Sequence, residues 1–285
     1  MYDVGISDNH LQSMITGCVV LESVSMHIMG FGRLCITSLT LRSITFYGPS
    51  KGEGAVTFQE LVIEDAPFLE RLVTLYPYCS PATIRIIQAP KLEILGSLSQ
   101  GISTLDTETA FSVQKMVAVS LTSKMHTVKI LVLDSIGPNL DSVVDFLKCF
   151  PCLQKLYIFP HRGNYVNNVQ EYDPLDPMEC LEVHLRTVVL RNYNGYTRPV
   201  IDFARFFILN AKVLEEVEIG VFSHRKDRCL RRQGRELQVE NRASRDAQIG
   251  LKMDEETILK HHDRTHDFSM ADPFDKPGGR LIHMF

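Results

Sequence analysis

Cys149 and Cys152 form a Cys-x-x-Cys motif, a spacing that structural zinc sites and thiol–disulfide oxidoreductases both use. A structural zinc site needs a second ligand pair, and the sequence contains no second Cys-x-x-Cys. A redox site would open a helix after a strand, whereas this motif lies where a predicted helix ends. The pattern therefore favours thiols that pack in the core.

A second group with ligand chemistry lies near the C-terminus and comprises His261, His262, Asp263, His266 and Asp267. His262 and His266 are four residues apart, so on a helix both imidazoles would lie on one face, as in a metal-binding pair. The spacing fixes no third ligand, and no Glu follows a His as in the metalloprotease pattern. We predict a solvated surface segment without metal ligands.

A basic run, RKDRCLRRQGRE, extends from Arg225 to Glu236. Between Ser223 and Arg245, eight Lys or Arg residues stand against three Asp or Glu residues, a local charge of +5. Nucleic-acid binding usually adds interleaved aromatic residues or a known module, and neither is present. We predict a solvated helix face and no nucleic-acid partner; an acidic partner surface is the alternative.

The sequence carries none of the common catalytic motifs. It has no P-loop, no Gly-x-Ser-x-Gly and no Gly-x-Gly-x-x-Gly after a strand. Its carboxylates are scattered, and spacing specifies no acid–base pair. We therefore predict no catalytic, cofactor-binding or metal-ligating residue, no cofactor, and a protein that is not an enzyme.

Composition narrows the class of protein. Of the 285 residues, 45% are hydrophobic and 22% charged, and the net charge of −4 argues against general binding to nucleic acid or membranes. No apolar run reaches the roughly 18 residues that cross a bilayer, and the N-terminus MYDVGISDNH lacks the features of a signal peptide. Seven cysteines, an odd number lying mostly in apolar stretches, indicate reduced thiols. We expect a cytoplasmic or nuclear location.

The predicted strands, which would support any binding surface, follow a recurring sequence motif. A Pro, or a residue in its place, is followed within three residues by Leu-Glu or Leu-Gln and then by a strand-like pattern. The clearest copies are FPCLQKLYIF (Phe150 to Phe159), APKLEILGSL (Ala89 to Leu98) and AKVLEEVEIG (Ala211 to Gly220), and looser copies are APFLERLVTL (Ala66 to Leu75) and VVLESVSM (Val19 to Met26). Such repeats usually present a binding surface.

Apolar pairs with period-2 spacing mark the predicted strands. They are Leu39-x-Leu41, Leu61-x-Ile63, Ile84-x-Ile86, Leu131-x-Leu133, Leu156-x-Ile158, Val188-x-Leu190 and Val217-x-Ile219. Clear neighbours lie about 22 to 32 residues apart, close to the leucine-rich-repeat period. The number of repeats between Ile94 and Lys129 stays open. The sequence predicts an α/β fold, an irregular leucine-rich-repeat solenoid.

Two connecting segments are predicted to be helical. PVIDFARFFILNA (Pro199 to Ala211) places its apolar residues on one face, and LDSVVDFLKCF (Leu140 to Phe150) does the same, with Asp141 as a plausible cap. Residues 163–179 are polar with two prolines and predict a loop. ADPFDKPGGR (Ala271 to Arg280) predicts a loosely held tail.

The segment from Cys180 to Leu251 resembles the FBD domain of plant F-box/leucine-rich-repeat proteins. The matching phrases are CLEVHLRTVVLRNYNG (Cys180 to Gly195), DFARFFILNAKVLEEVEIGV (Asp202 to Val221) and LQVENRASRDAQI (Leu237 to Ile249). HDFSMADPFD (His266 to Asp275) resembles the tail that often follows, and ISDNHLQSMITGCVVLESVSM (Ile6 to Met26) resembles that family's irregular repeats.

The resemblance departs from the family in two places. The N-terminal F-box, which grips the Skp adaptor of a cullin ubiquitin ligase, has no counterpart here, and Cys229 stands where the family has a Trp. With this resemblance, we predict repeats over 1–162, a connecting loop over 163–179, an α+β FBD-type cap over 180–251 and a tail over 252–285.

The resemblance implies a non-catalytic interaction module, the substrate-recognition part of a cullin-type ubiquitin ligase receptor. Its partner would be an unknown protein substrate, and the Skp adaptor and cullin would join only if an F-box is present upstream. The alternative is a small-ligand receptor built on leucine-rich repeats. Its basic candidates, Arg33, Arg42, Arg71 and Arg85, show no common register in the sequence.

Overall fold

The computed structural model describes residues 8–27, 32–47, 58–74, 83–98, 104–107, 112–114, 117–119, 124–134, 139–159, 176–191, 198–221, 234–253, 264–275 and 282–283. The fold is α/β, with mostly parallel strands and few helices. The chain divides into two compact units. Unit 1 comprises Met1–Ser123 and Ile258–Pro273, and unit 2 comprises Lys124–Thr257 and Phe274–Phe285.

Unit 1 opens with helix α1 (Asp8–Gly17) and then alternates between two parallel sheets. The first sheet contains β1 (Ser23–His27), β3 (Ser43–Tyr47), β5 (Arg71–Thr74) and β7 (Ile94–Leu98), in that order. The second contains β2 (Arg33–Thr37), β4 (Glu60–Asp65), β6 (Thr83–Ile86) and β8 (Thr104–Thr107). Strands β9 (Ser112–Gln114) and β10 (Val117–Val119) pair antiparallel. Each repeat therefore contributes one strand to each sheet.

Unit 2 contains one further set of adjacent strands. Their order is β11 (Ile130–Asp134), β12 (Lys155–Phe159), β13 (Thr187–Leu190), β14 (Glu216–Val221), β15 (Gln248–Met253) and β16 (Ile282–His283). All pairs are parallel except the last. Helix α2 (Leu140–Cys149) precedes β12, a π-helical turn (Cys180–His184) precedes β13, and helix α3 (Arg198–Asn210) precedes β14. A short 3₁₀ turn (Val239–Asn241) precedes β15.

The recurring phrase folds as a turn directly before a strand. The amide of its Leu donates to the carbonyl three residues earlier, at 3.0 Å from Leu69 to Ala66, 3.1 Å from Leu92 to Ala89 and 3.1 Å from Leu153 to Phe150. These three leucines are completely buried. The turn thus drives an apolar side chain into the core at the same place in each repeat.

The residue after that Leu begins the hydrogen-bond ladder to the preceding repeat. The amide of Glu70 donates to the carbonyl of Arg42 at 2.8 Å, that of Glu93 to Glu70 at 2.9 Å, and that of Gln154 to Lys129 at 2.8 Å. Leu-Glu and Leu-Gln recur because one residue fills the core and the next, a polar one, starts the strand pairing.

Both predicted helices are confirmed. The apolar residues of α3 are buried, among them Phe203 and Phe207, whose rings lie 5.5 Å apart. In α2, the predicted cap is wrong, because Asp141 lies exposed inside the first turn and the carbonyl of the preceding Asn139 accepts from Val143 at 3.3 Å. Among the described helices, none is long and apolar enough to span a bilayer.

The predicted strands are confirmed except for Leu39-x-Leu41. These residues form the turn between β2 and β3, where Leu39 is 67% exposed and Leu41 is buried as the leucine of another turn. The amide of Leu41 donates to the buried hydroxyl of Ser38 at 3.2 Å, so a side chain replaces the usual carbonyl. The pairs Leu61-x-Ile63 and Ile84-x-Ile86 belong to the second sheet of unit 1. The spacing of about 22 to 32 residues was therefore counted across strands of two different sheets.

The expectation of a loosely held tail is wrong for residues 271–275, the part that the structure describes. Phe274 is completely buried, and its ring centroid lies 5.5 Å from that of Tyr157 in β12. The carboxylate of Asp275 lies 3.5 Å from the ammonium group of Lys155. An aromatic side chain that packs on the sheet holds this segment in place, although the segment has no apolar periodicity.

Candidate interaction surface

The first sheet of unit 1 has one apolar and one polar face, because successive side chains on a strand point to opposite sides. On the apolar face, Val24, Ile44 and Leu72 are register partners on β1, β3 and β5. On the other face, one row comprises Ser23, Ser43 and Arg71, and the next comprises Ser25, Thr45 and Val73. We call this second side the polar face; it presents hydroxyl groups and one guanidinium group.

Residues 264–270, here called the covering segment, lie on the polar face. The hydroxyl of Ser43 donates to the carbonyl of Thr265 at 3.0 Å, and the hydroxyls of Thr45 and Thr265 are 2.9 Å apart. The Ser23 hydroxyl is hydrogen-bonded to Nδ1 of His266. Thr265 is completely buried by these contacts.

The guanidinium group of Arg71 organises the covering segment. It donates to three backbone carbonyls, those of Thr265 at 3.1 Å, Asp267 at 3.0 Å and Met270 at 2.5 Å. Burial lowers the pKa of Arg71, and the nearby carboxylate of Glu70 opposes that shift. Three carbonyl acceptors compensate a buried cation for lost water.

The covering segment turns where these carbonyls converge. The carboxylate of Asp267 accepts from the amide of Ser269 at 2.9 Å and from its hydroxyl at 2.6 Å. The Ser269 hydroxyl bond is the largest cause of the lowered pKa of Asp267. This Asx turn lies between the carbonyls of Asp267 and Met270, and both of them accept from Arg71.

Phe268 supplies the aromatic contact of the covering segment. The guanidinium carbon of Arg42 lies 4.1 Å from its ring centroid and that of Arg71 lies 5.0 Å away, both within cation–π range. Glu70 binds Arg42 through two hydrogen bonds of 2.9 and 3.1 Å, which raise the pKa of Arg42. The carboxylate thereby fixes one of the two cations that contact the ring.

In unit 2, the residues that begin the strands are less buried than Ser43 and Arg71 of unit 1. Lys155, Thr187, Glu216 and Gln248 are register partners on four consecutive strands. Gln248 is exposed and the other three are half-buried, and the ammonium of Lys155 pairs with Asp275. The row combines both charges with neutral hydrogen-bonding groups. We call it the mixed row.

A buried ion cluster lies further along the same face. The carboxylate of Glu218 is 2.5 Å from the guanidinium of Arg191 and 2.9 Å from the ammonium of Lys252. All three residues are buried. A buried carboxylate between two cations indicates a structural network that fixes the alignment of β13, β14 and β15.

The Cys-x-x-Cys residues differ in their surroundings. Cys149 is buried at the end of α2, its thiol donates to the carbonyl of Asp145 at 3.2 Å, and burial raises its pKa to about 12. Cys152 is half-exposed, and its sulfur lies 3.9 Å from Nδ1 of His126. The described residues contain no cluster of three or more metal-ligating side chains. Core packing is confirmed for Cys149.

The other predicted groups fall only partly within the described residues. Of the His/Asp cluster, Asp267 is exposed and His266 is held on the polar face, whereas His261, His262 and Asp263 lie outside the described residues. Of the basic run Arg225–Glu236, the structure describes only 234–236, and Cys229 lies outside it. The prediction of a solvated segment is therefore confirmed for Asp267 and wrong for His266, whose ring is hydrogen-bonded to Ser23.

The four candidate arginines for a small acidic ligand bind the protein's own acceptors. Arg33 and Arg85 both pair with the carboxylate of Glu60, at 2.7 and 3.7 Å. Arg42 and Arg71 both contact the ring of Phe268. The sequence did not predict this, because Arg42 precedes β3 and Arg71 begins β5. Ser43, the residue after Arg42, is the register partner of Arg71, so strand pairing places the two arginines one position apart on neighbouring strands.

Sequence reasoning missed the covering segment and the ion cluster. The signal for Glu218 was its position between Val217 and Ile219, which places its side chain on the opposite face of β14. Nothing in the spacing indicated that this face is buried. The covering segment offered a weaker signal, Phe268 and Met270 in an otherwise polar stretch.

The strand-and-turn repeats define the class, a repeat protein with a parallel-sheet architecture. The family model described as "FBD-associated F-box protein At5g56370, LRR repeats" matches residues 1–158, and the FBD model matches residues 173–219. The chain belongs to this family of FBD-associated F-box protein leucine-rich repeats. No curated protein and no solved structure shows a significant match.

Proposed function

We propose that this chain is a non-catalytic recognition module that binds a protein partner through the mixed row on the parallel strands of unit 2. One observation carries the proposal: consecutive repeats align Lys155, Thr187, Glu216 and Gln248 into the mixed row, which is less buried than the row of Ser23, Ser43 and Arg71. A row of alternating charge and hydrogen-bonding capacity suits a polar protein surface. Membership of a leucine-rich-repeat family supports an interaction role.

The finer proposal is that the partner is a substrate for ubiquitination. The family's description refers to F-box proteins, and the resemblance described above connects the F-box to the Skp adaptor and a cullin. In that arrangement the repeats select the substrate, and an F-box upstream of them recruits the ligase. Residues 1–162 would form a solenoid, 163–179 the connection, 180–251 the FBD-type cap and 252–285 the tail. The cytoplasm or nucleus is the expected location.

The proposal is tested by charge reversal on the mixed row. We expect the double variant Glu216→Lys/Gln248→Lys to lose at least about tenfold in affinity for partners captured by the wild-type chain, since like charges across an interface are unfavourable. The matched control is Glu240→Lys/Asn241→Lys, which makes the same change in net charge at two exposed residues of the 3₁₀ turn. Quantitative capture, followed by titration with each purified partner, gives the affinities.

Equal binding by the wild type and both variants would place the interaction elsewhere and defeat the proposal for the mixed row. Capture of nothing by the wild type, under conditions in which the chain is folded, would argue against an interaction module. The small-ligand alternative has its own check, a thermal-shift panel of acidic metabolites. The structure does not favour that alternative, because the four arginines proposed for it already bind carboxylates or carbonyls of the chain.

A further inference from the structure

The covering segment is bound as a peptide ligand would be. The Arg71 side chain binds only backbone carbonyls of the segment. Because every peptide has such carbonyls, these contacts provide affinity that does not depend on the sequence of the segment. Its side-chain contacts supply selectivity: the Thr265 hydroxyl on Thr45, and the Phe268 ring on the cations of Arg42 and Arg71. Separate sources of affinity and selectivity are typical of peptide recognition.

The covering segment is also a weakly integrated part of unit 1. It forms no strand pair with the sheet, and it consists of turns from Arg264 to Met270. Thr265 is its only completely buried side chain, and the apolar core of the sheet lies on the opposite face, where Ile44 and Leu72 are buried. Segments with few buried apolar contacts open at lower free energy than core strands do.

We propose that the polar face of β1, β3 and β5 is a peptide-recognition site that residues 264–270 occupy in cis. The partner segment carries the same chemistry: a Thr or Ser, an Asp two residues later that opens a turn, and then an aromatic ring. This inference rests on the proposed function and specifies the partner. A partner peptide displaces the covering segment. Because the segment occupies the site most of the time, the apparent affinity for the peptide equals the intrinsic affinity multiplied by the fraction of open sites.

The test uses the full chain and a fluorescent peptide, RTHDFSM, which reproduces residues 264–270. Phe268→Ala weakens the cis segment while leaving Arg42 and Arg71 in place. We expect this variant to bind the peptide at least about tenfold more tightly than the wild type does, because its site is open for a larger fraction of time. A peptide whose Phe is replaced by Ala should bind the same variant at least about tenfold more weakly.

Two protein controls separate recognition from general loosening. Phe68→Ala makes the same change at an exposed turn residue and should leave the affinity at the wild-type value. Arg71→Met in the Phe268→Ala chain should abolish binding, since it removes the donor to three carbonyls. A folded Phe268→Ala chain with wild-type affinity, or full binding without Arg71, would overturn the proposal.

Hydrogen exchange on the wild-type chain gives a result even where Phe268→Ala fails to fold. Excess peptide should accelerate exchange of the amides in 264–270 and leave those of β3 and β5 unchanged. If 264–270 exchange only as slowly as β3, with or without peptide, the segment is structural and the inference fails. Concentration-dependent dimers with no peptide binding would assign the site to a second copy and equally refute it. Neither failure affects partner binding at the mixed row.

Discussion

At the scale of single residues, Glu218 joins two buried cations of unit 2. Its carboxylate lies between Arg191 and Lys252, and all three groups are shielded from water. Glu218→Gln should lower the free energy of unfolding by about 3–5 kcal/mol, because it leaves two buried cations without their carboxylate. Urea unfolding followed by circular dichroism measures the loss.

Glu215→Gln is the matched control for that substitution. Glu215 pairs with Arg186, but both side chains are more than half exposed, at 61% and 54%. Because water screens such a pair, the change should cost less than about 1 kcal/mol. A similar loss in the two variants would mean that the buried cluster contributes no more than a surface ion pair.

The cysteines give a second prediction at this scale. Burial raises the pKa of Cys149 and Cys180 from 9.0 to about 12. At pH 8, native Cys149 and Cys180 should therefore react with iodoacetamide about a thousand times more slowly than in urea, while exposed Cys18 reacts similarly in both. Mass spectrometry of labelled peptides measures the rates. Fast labelling of native Cys149 would show that its thiol is accessible.

The same shifts give a pH dependence of stability. The folded-state pKa of each buried thiol lies above its unfolded value of 9.0. The unfolded chain therefore loses these protons first as the pH rises, and deprotonation favours unfolding. The stability that both thiols contribute is fully present below pH 9 and is lost progressively toward pH 12.

At the scale of the element, the turn before each strand is the unit that repeats. In the copy from Ala66 to Arg71, Phe68 and Leu69 are neighbours with opposite environments: Phe68 is 46% exposed and Leu69 is completely buried. Leu69→Ala should lower the free energy of unfolding by about 2–5 kcal/mol, because it opens a cavity in the core. Thermal and urea unfolding report the loss.

Phe68→Ala is the internal control in the same turn. The Phe68 ring lies 4.3 Å from the ammonium of Lys91, a surface cation–π contact worth about 0.5–1 kcal/mol. We expect this larger truncation to cost less than about 1 kcal/mol. If Phe68→Ala destabilised the protein more than Leu69→Ala, the turn would not be oriented as described.

Local pattern predicted the elements well, for a physical reason. A buried Leu in a tight turn, followed by a polar residue that starts strand pairing, is a short-range signal, and it located β5, β7 and β12. Helix α3 was equally predictable from its apolar face. The sequence could not separate the two sheets of unit 1, because Leu61-x-Ile63 in β4 and Ile44-x-Phe46 in β3 have the same period.

The candidate surface was much less predictable than the elements. Arg42 and Phe268 are more than two hundred positions apart in the sequence, and only the fold brings them within 4.1 Å. The covering segment has no periodicity, since it binds through backbone carbonyls that any sequence carries. Local patterns specify turns and faces, whereas contacts between distant segments depend on tertiary structure.

At the scale of the whole molecule, the family raises the question of adaptor binding. An interface with the Skp adaptor would need roughly 800 Å² per partner, with buried apolar anchors. Within the described residues before β2, Ile15 of α1 is buried in the fold and Val24 faces the apolar side of the sheet. Met14, Val19 and Val20 are exposed, but three side chains on a helix and a turn provide a small fraction of that area.

We therefore predict that the purified 285 residues by themselves do not bind the Skp adaptor, although they retain the surfaces proposed for a protein substrate. The measurement is a pull-down with purified adaptor, and the control is the same chain with an F-box fused before Met1, which should bind. Stoichiometric binding of the unfused chain at micromolar concentration would contradict the prediction and locate an adaptor surface in the repeats or the FBD. If this prediction and the proposed substrate role both hold, the unfused chain should compete with an F-box-fused chain for substrate without recruiting a ligase, since recognition and recruitment then belong to separate parts of the receptor.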